Sequence, residues 1–191
     1  MAKNWKIRKD LSIEVCGHTL FRIECTQDFK EIKAGTLGGF IEKEENLDGD
    51  AWVSDDAQVY GNAQVYGNAW VCGNAWVYGN ARVYGNAWVY GNAQVYGNAC
   101  VSGDAQVYGD EIKSKNDICY ISNRYYNITI TPLHIKIGCQ YHAHEAWWNF
   151  TDEQIEKMDG YDAINFWRIW KEPLKQICDA MKKEKGEKDV K

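Results

Sequence analysis

A three-sided parallel β-solenoid of about four turns is the fold this sequence predicts, and three observations predict it. From Gly49 to Tyr108 the chain repeats a six-residue unit ten times without a gap, in forms such as GNAWVY and GNAQVY. Within each unit A-x-V-Y alternates a small or apolar residue with a variable one, the period-two signature of a half-buried strand. The Gly-Asn or Gly-Asp that follows is corner chemistry, because glycine takes backbone angles closed to other residues and Asn or Asp tolerates the left-handed region. A disordered low-complexity tract is the alternative for any simple repeat. Such tracts lack inward apolar residues at fixed spacing, whereas Ala and Val recur here in every unit and stack into a continuous core.

The array extends backward in the same register, since Ile41 and Leu47 fall where the later valines fall. Twelve units from Leu37 then make four turns of eighteen residues, and the solenoid is expected over 37–110. At about 4.8 Å per turn the prism is roughly 19 Å tall. Its exposed strand edges need covering. Residues 1–36 supply an N-terminal β cap, in which LSIEVCGHTLFRIECT reads as a hairpin turning near Gly17 and His18. Residues 111–182 form a C-terminal α/β appendage: DICYIS, YNITIT and HIKIG read as three short strands. Thr151 and Gln154 have capping-box spacing at a helix start, and Gly160 breaks that helix. A following helix places Ile164, Trp167, Trp170, Leu174, Ile177 and Met181 on one face, expected to lie on the cap or on another subunit, and Pro173 is expected to kink or divide it. Residues 183–191 read as a charged, disordered tail.

The formal net charge of −5 and the isolation of Arg82 within the array argue against nucleic acid as a partner. Seven cysteines without disulfide-like spacing, and a first stretch with no apolar run, predict free thiols in a cytoplasmic protein. No segment reaches membrane-spanning length.

Threefold coiling sorts the variable position into vertical columns. One holds Trp52, Trp70, Trp88 and Gln106; a second holds Gln58, Trp76 and Gln94; a third holds Gln64, Arg82 and Cys100. The tyrosine position sorts likewise, into Tyr60, Tyr78 and Tyr96 on the second face and Ser54, Cys72, Tyr90 and Tyr108 on the first. Aromatic ladders stabilise stacked strands without any ligand, and exposed ones also bind partners. The candidate binding residues are therefore Trp52, Trp70, Trp88, Trp76, Tyr60, Tyr78, Tyr96 and Arg82, against another subunit, a host protein or a planar small molecule.

The spacing V-x-x-x-A-x, with Asn before the Ala, resembles the hexapeptide repeat of left-handed β-helix proteins, the LpxA-like superfamily of acyltransferases and gamma-class carbonic anhydrases. The stretch IKAGTLGGFIEKEENL, followed by AWV and VYGNA units, is more closely similar to YdcK-like hexapeptide proteins of bacteria and of phage or prophage genomes. The resemblance covers about residues 20–110 and implies a left-handed coil, and a homo-oligomer with a trimer as first expectation. The superfamily's enzymes work through histidine, and here none occurs between His18 and His134, so a zinc site built from solenoid turns is excluded. Acyl transfer from acetyl-CoA would need a flank histidine, His142 or His144 first, with His18 and His134 as further candidates. The run CQYHAHE offers Cys139, His142 and His144 to a metal, at a spacing that matches no established finger; Cys139 is instead expected to pack after its strand. Asp152 and Glu153 suit a helix first turn and form no catalytic dyad. The expectation is a non-enzymatic β-solenoid binding or scaffold protein without a cofactor, a phage or prophage accessory protein that captures a small host nucleotide signal or blocks a host defence. The alternative is the acyltransferase.

Overall fold

The computed structural model describes residues 3–186 and divides into two units, Met1–Lys115 and Asn116–Lys191. The first unit begins with a hairpin of β1 (Trp5–Val15) and β2 (His18–Cys25), turned at Cys16 and Gly17, both with positive φ. β3 (Leu37–Ile41) pairs antiparallel with β2 and opens the coil. The strands that follow are β4 (Trp52–Val53), β5 (Gln58–Val59), β6 (Gln64–Val65), β7 (Trp70–Val71), β8 (Trp76–Val77) and β9 (Arg82–Val83). They continue as β10 (Trp88–Tyr90), β11 (Gln94–Asn98), β12 (Cys100–Val101), β13 (Gln106–Tyr108) and β14 (Glu111–Ser114).

These strands stack as three parallel sheets, the faces of a β-solenoid of about four turns. Trp52 aligns with Trp70, Trp70 with Trp88 and Trp88 with Gln106, and each Val lies over the Val of the next turn. Every repeat Ala and Val from Ala51 to Val107 is at most 1% exposed. A strand face this uniform forms because small Ala and β-branched Val alternate inward while each backbone bonds to the turn beyond it. Trp52 N–H, for instance, donates to the Ala69 carbonyl at 3.0 Å and Trp70 N–H to the Ala87 carbonyl at 2.9 Å. The corners are glycines at positive φ, with one substitution: Asp55 takes φ 57° and its carboxylate accepts the Gly73 N–H at 2.9 Å. The coil also runs past residue 110. The corner before β14 is one residue shorter than the others, and Ile112 pairs with Val95 in the valine register.

At the N-terminal end the cap lies tight on the first turn. An added Cβ on Gly38 would fall 2.5 Å from both the Ile23 side chain and the Val53 carbonyl, and one on Gly39 would fall 2.6 Å from the Ala57 carbonyl. Asn46, fully buried in a 3-10 turn at Glu44–Asn46, closes the next face. Its amide donates to the carbonyls of Ala63 at 2.8 Å and Gly61 at 3.2 Å, and its oxygen accepts the Lys43 N–H at 2.9 Å. Arg22 donates to the Gly38 and Asp55 carbonyls and to Asp56.

The second unit is an antiparallel meander of β15 (Cys119–Ile121), β16 (Ile128–Ile130), β17 (His134–Ile137) and β18 (Gln140–Ala143), followed by α1 (His144–Asn149) and α2 (Asp152–Gly186). The fourth strand has no counterpart in the sequence reading. Its turn, with Gly138 at φ 55°, leaves Cys139 exposed and not packed behind its strand. Ile128, Ile130, Ile135 and Ile137 alternate inward and meet Trp147, Ile155, Ile164, Phe166, Trp167, Leu174 and Cys178, so the apolar face of α2 is spent on this unit's own sheet. The capping box forms: Gln154 Oε1 accepts the Thr151 N–H at 2.9 Å and Thr151 Oγ1 accepts the Gln154 N–H at 3.3 Å. The helix breaks at Asp159 and Gly160, where Gly160 takes φ 66°. Pro173 does not divide it. The carbonyl it strands belongs to Ile169, 69% exposed, where water can satisfy it. The helix continues through Gly186, past the start of the expected tail, and residues 187–191 lie outside the described residues. No described helix is long and apolar enough to cross a membrane. All seven cysteines are free thiols.

Candidate functional site

The aromatic columns stand as the repeat dictates, but they differ in exposure. Trp52 is 1% exposed, because Phe29 packs edge-on against it at 5.6 Å and the Gly38 backbone closes over its ring. Tyr60 is likewise buried, with the His18 ring 5.1 Å away. The cap thus withdraws two of the candidate binding residues from the surface. Burial also pushes the Tyr60 phenol up to about 12.

On the face of β4, β7, β10 and β13 the remaining outward residues form an aromatic patch. Trp70 and Trp88 are neighbours at 6.0 Å, tilted by 40°, and on the same face Tyr90 and Tyr108 meet each other at 5.0 Å, tilted by 43°. Trp88 is 46% and Tyr108 47% exposed. The Trp70 indole N–H donates to Ser54 Oγ at 3.1 Å, which holds its ring in place. Cys72, one turn before Tyr90 in the same column, is half-buried, and burial pushes its thiol up. Every outward position of this face, Trp52, Ser54, Trp70, Cys72, Trp88, Tyr90, Gln106 and Tyr108, is uncharged. Tyr90 and Tyr108 belong to the predicted columns but not to the predicted binding residues. Their signal was the absence of any charge in the same column.

The second face carries a closer ladder. Tyr60, Tyr78 and Tyr96 stack at 5.2 and 4.9 Å within 4° of parallel, beside a half-buried Trp76. Tyr78 donates to Gln94 and Tyr96 to Glu111, so their hydroxyls are engaged along the column. On the third face Tyr66 and Tyr84 stack at 4.9 Å, and Arg82 projects into solvent between Gln64 and Cys100. Asparagine amides bridge successive corners, as from Asn62 to Asn80 at 3.3 Å and from Asn68 to Asn86 at 3.2 Å.

Each histidine has a structural setting. His18 Nδ1 meets Glu42 Oε1 at 2.8 Å, and the other Glu42 oxygen accepts the Gly61 N–H at 2.7 Å. His134 stacks on Tyr141 at 4.6 Å. His142 packs edge-on against Trp147 and Phe150. His144 is buried, with Nε2 at 3.0 Å from the Thr131 carbonyl and 4.0 Å from Cys178 Sγ. Burial pushes that thiol up to about 11, which leaves it neutral and a poor nucleophile. Cys139, His142 and His144 therefore face three different surroundings. Among the described residues no three His, Cys, Asp or Glu side chains gather closely enough to hold a metal ion.

Burial also pushes the His144 imidazole below its ordinary value of 6.5. The folded chain then holds a neutral ring at a pH where the unfolded chain already binds a proton. Stability from this group is full above pH 6.5, falls as the pH drops below it, and levels off once the folded ring titrates. His142 is shifted the same way. Urea midpoints at pH about 7.5 and about 5.5 should fall more in the parent protein than in His144→Asn.

A family profile described as the YdcK beta solenoid repeat matches residues 57–73, 63–79, 75–91 and 93–110. No curated protein matches the chain. The matched segments coincide with strands β5 to β13, where the valine register is unbroken. The array of this chain is similar to the YdcK β-solenoid repeat over these residues, and the four-turn β-solenoid is consistent with a YdcK-like repeat protein.

Proposed function

We propose that the protein is a non-enzymatic binding scaffold that assembles with further copies of itself through the face of Trp70, Trp88, Tyr90 and Tyr108. The observation that carries this reading is the pairing of exposure with neutrality: two aromatic rings nearly half exposed, on a sheet face with no charged outward residue. Interface centres are enriched in Trp and Tyr and depleted of charge, whereas a solvated sheet face of this size would be expected to carry Lys or Glu. A trimer is the first expectation. The engagement of all four histidines in packing or hydrogen bonds supports a non-enzymatic role over acetyl-CoA-dependent acyl transfer.

The finer reading is an accessory protein of phage or prophage origin acting in the cytoplasm, which blocks a host defence or captures a small nucleotide signal on its aromatic columns. Stacking of a planar base on Trp or Tyr supports the nucleotide form, at about 1–3 kcal/mol per base. Native mass spectrometry tests both levels together. A homo-oligomer is expected, with Trp88→Glu raising its dissociation constant by more than about tenfold, since a buried interfacial Trp contributes about 2 kcal/mol or more. A monomer at tens of micromolar protein would overturn the assembly. Release of a nucleotide mass would identify the ligand, and no binding of any nucleotide would remove that form of the proposal.

A further inference from the structure

The C-terminal unit contains a half-open cavity of about 50 Å³ among the sheet, α1 and α2. Four aromatic residues line it. Tyr126 and Phe166 meet edge to face at 4.9 Å, and Trp147 and Trp167 lie 5.3 Å apart. Met158 adds a polarisable sulfur to the wall. Among the described residues the one charged group on the lining is Asp159.

Asp159 reaches this position because α2 breaks there. With Asp159 and Gly160 out of helical geometry, the carboxylate leaves the helix surface and lines the cavity. Its Oδ2 accepts the Tyr126 hydroxyl at 2.7 Å, and the residue is solvent-exposed, so the carboxylate stands at the open rim of the cavity. Burial and the adjacent carboxylate push the Tyr126 phenol up to about 12, so it remains a neutral donor. The neighbouring ammoniums are occupied elsewhere. Lys171 lies 5.6 Å from the Trp167 ring centroid and donates to the Trp148 carbonyl at 3.0 Å, while Lys136 donates to the Gly138 carbonyl at 2.8 Å.

An exposed carboxylate at the rim of an aromatic-lined cavity, with no cation on the wall, is complementary to a positive charge carried on a small apolar body. Ring quadrupoles attract cations. We propose that this cavity binds the ammonium head of a small alkylamine, with Asp159 as its counter-ion. Its volume is about a third of the ~150 Å³ cavity that admits benzene, which suits a methyl- or ethylammonium head. The site is independent of the solenoid face and of its assembly.

The test is a titration of the full chain with ethylammonium chloride at constant ionic strength, following the indole N–H signals of Trp147 and Trp167 by NMR. A saturable shift is expected, with ethanol binding at least about tenfold more weakly. Asp159→Asn, which can still accept the Tyr126 hydroxyl, should weaken ethylammonium by about tenfold or more. Absence of a saturable shift, equal binding of ethanol, or indifference to Asp159→Asn in a folded variant would each overturn the proposal. The comparison of ethylammonium with ethanol uses the unaltered protein, so it decides the matter even if the variant does not fold.

Discussion

Gly38→Ala is expected to destabilise the solenoid unit by about 3 kcal/mol, at the upper end of what overpacking costs. The reason is where the new methyl would land. It meets the Ile23 side chain and the Val53 carbonyl at 2.5 Å each, and the Trp52 ring at 2.8 Å. A flexible side chain could turn aside, but the Val53 backbone is fixed by the strand stacked on it, where Trp52 and Val53 register with Trp70 and Val71. The cap must therefore lift, which also uncovers Trp52 and loosens Phe29. Gly109→Ala is the informative comparison, since Gly109 has φ 69° and open space around it. That variant bears only the left-handed backbone penalty, about 1–2 kcal/mol. Urea unfolding of both variants separates close approach from backbone preference, and equal losses would show that the cap does not press on the coil as described.

Asn46→Leu should cost about 2–4 kcal/mol, because the buried Ala63 carbonyl and the partly buried Gly61 carbonyl lose their donor at once, and an unsatisfied buried group costs about 1–3 kcal/mol. Elsewhere in the coil the preceding turn supplies that donor: Gln64 N–H reaches the Ala81 carbonyl, and Asn62 N–H reaches that of Gly79. At the first turn the chain curls into a 3-10 turn and its own N–H groups point elsewhere. The Asn46 amide replaces them, bonding the Ala63 and Gly61 carbonyls. Leucine fills the space without restoring a donor. Hydrogen exchange is expected to accelerate at the amides of β6, whose edge the amide closes, ahead of the inner turns. A uniform acceleration along the coil would instead indicate a global loss of packing.

Much of this architecture was legible because it is local and periodic. Trp70 over Trp88 and Gln64 beneath Arg82 follow from counting by eighteen, and the register confirms both. The Thr151–Gln154 box and the break at Gly160 are short-range devices with their own residue chemistry. The strand Gln140–Ala143 was not legible, since QYHA has no alternating apolar pattern; it becomes a strand by pairing along the edge of β17. The setting of Asp159 was hidden as well. Its partner Tyr126 lies far away in sequence, and neither residue stands in a recognisable motif.

The sequence by itself determined the solenoid, its three columns and which face would be free of charge, because strand length and corner conformation recur every six residues and each unit needs only its neighbours to fix its place. Only the tertiary structure decided which column residues reach the surface. Trp52 and Trp88 occupy equivalent positions in the repeat, yet one is 1% exposed and the other 46%. The difference is made by Phe29 and Gly38, which are brought over the first turn by β2 and β3. Burial depends on what the chain folds over a residue, and a repeating sequence does not carry that information in the repeat.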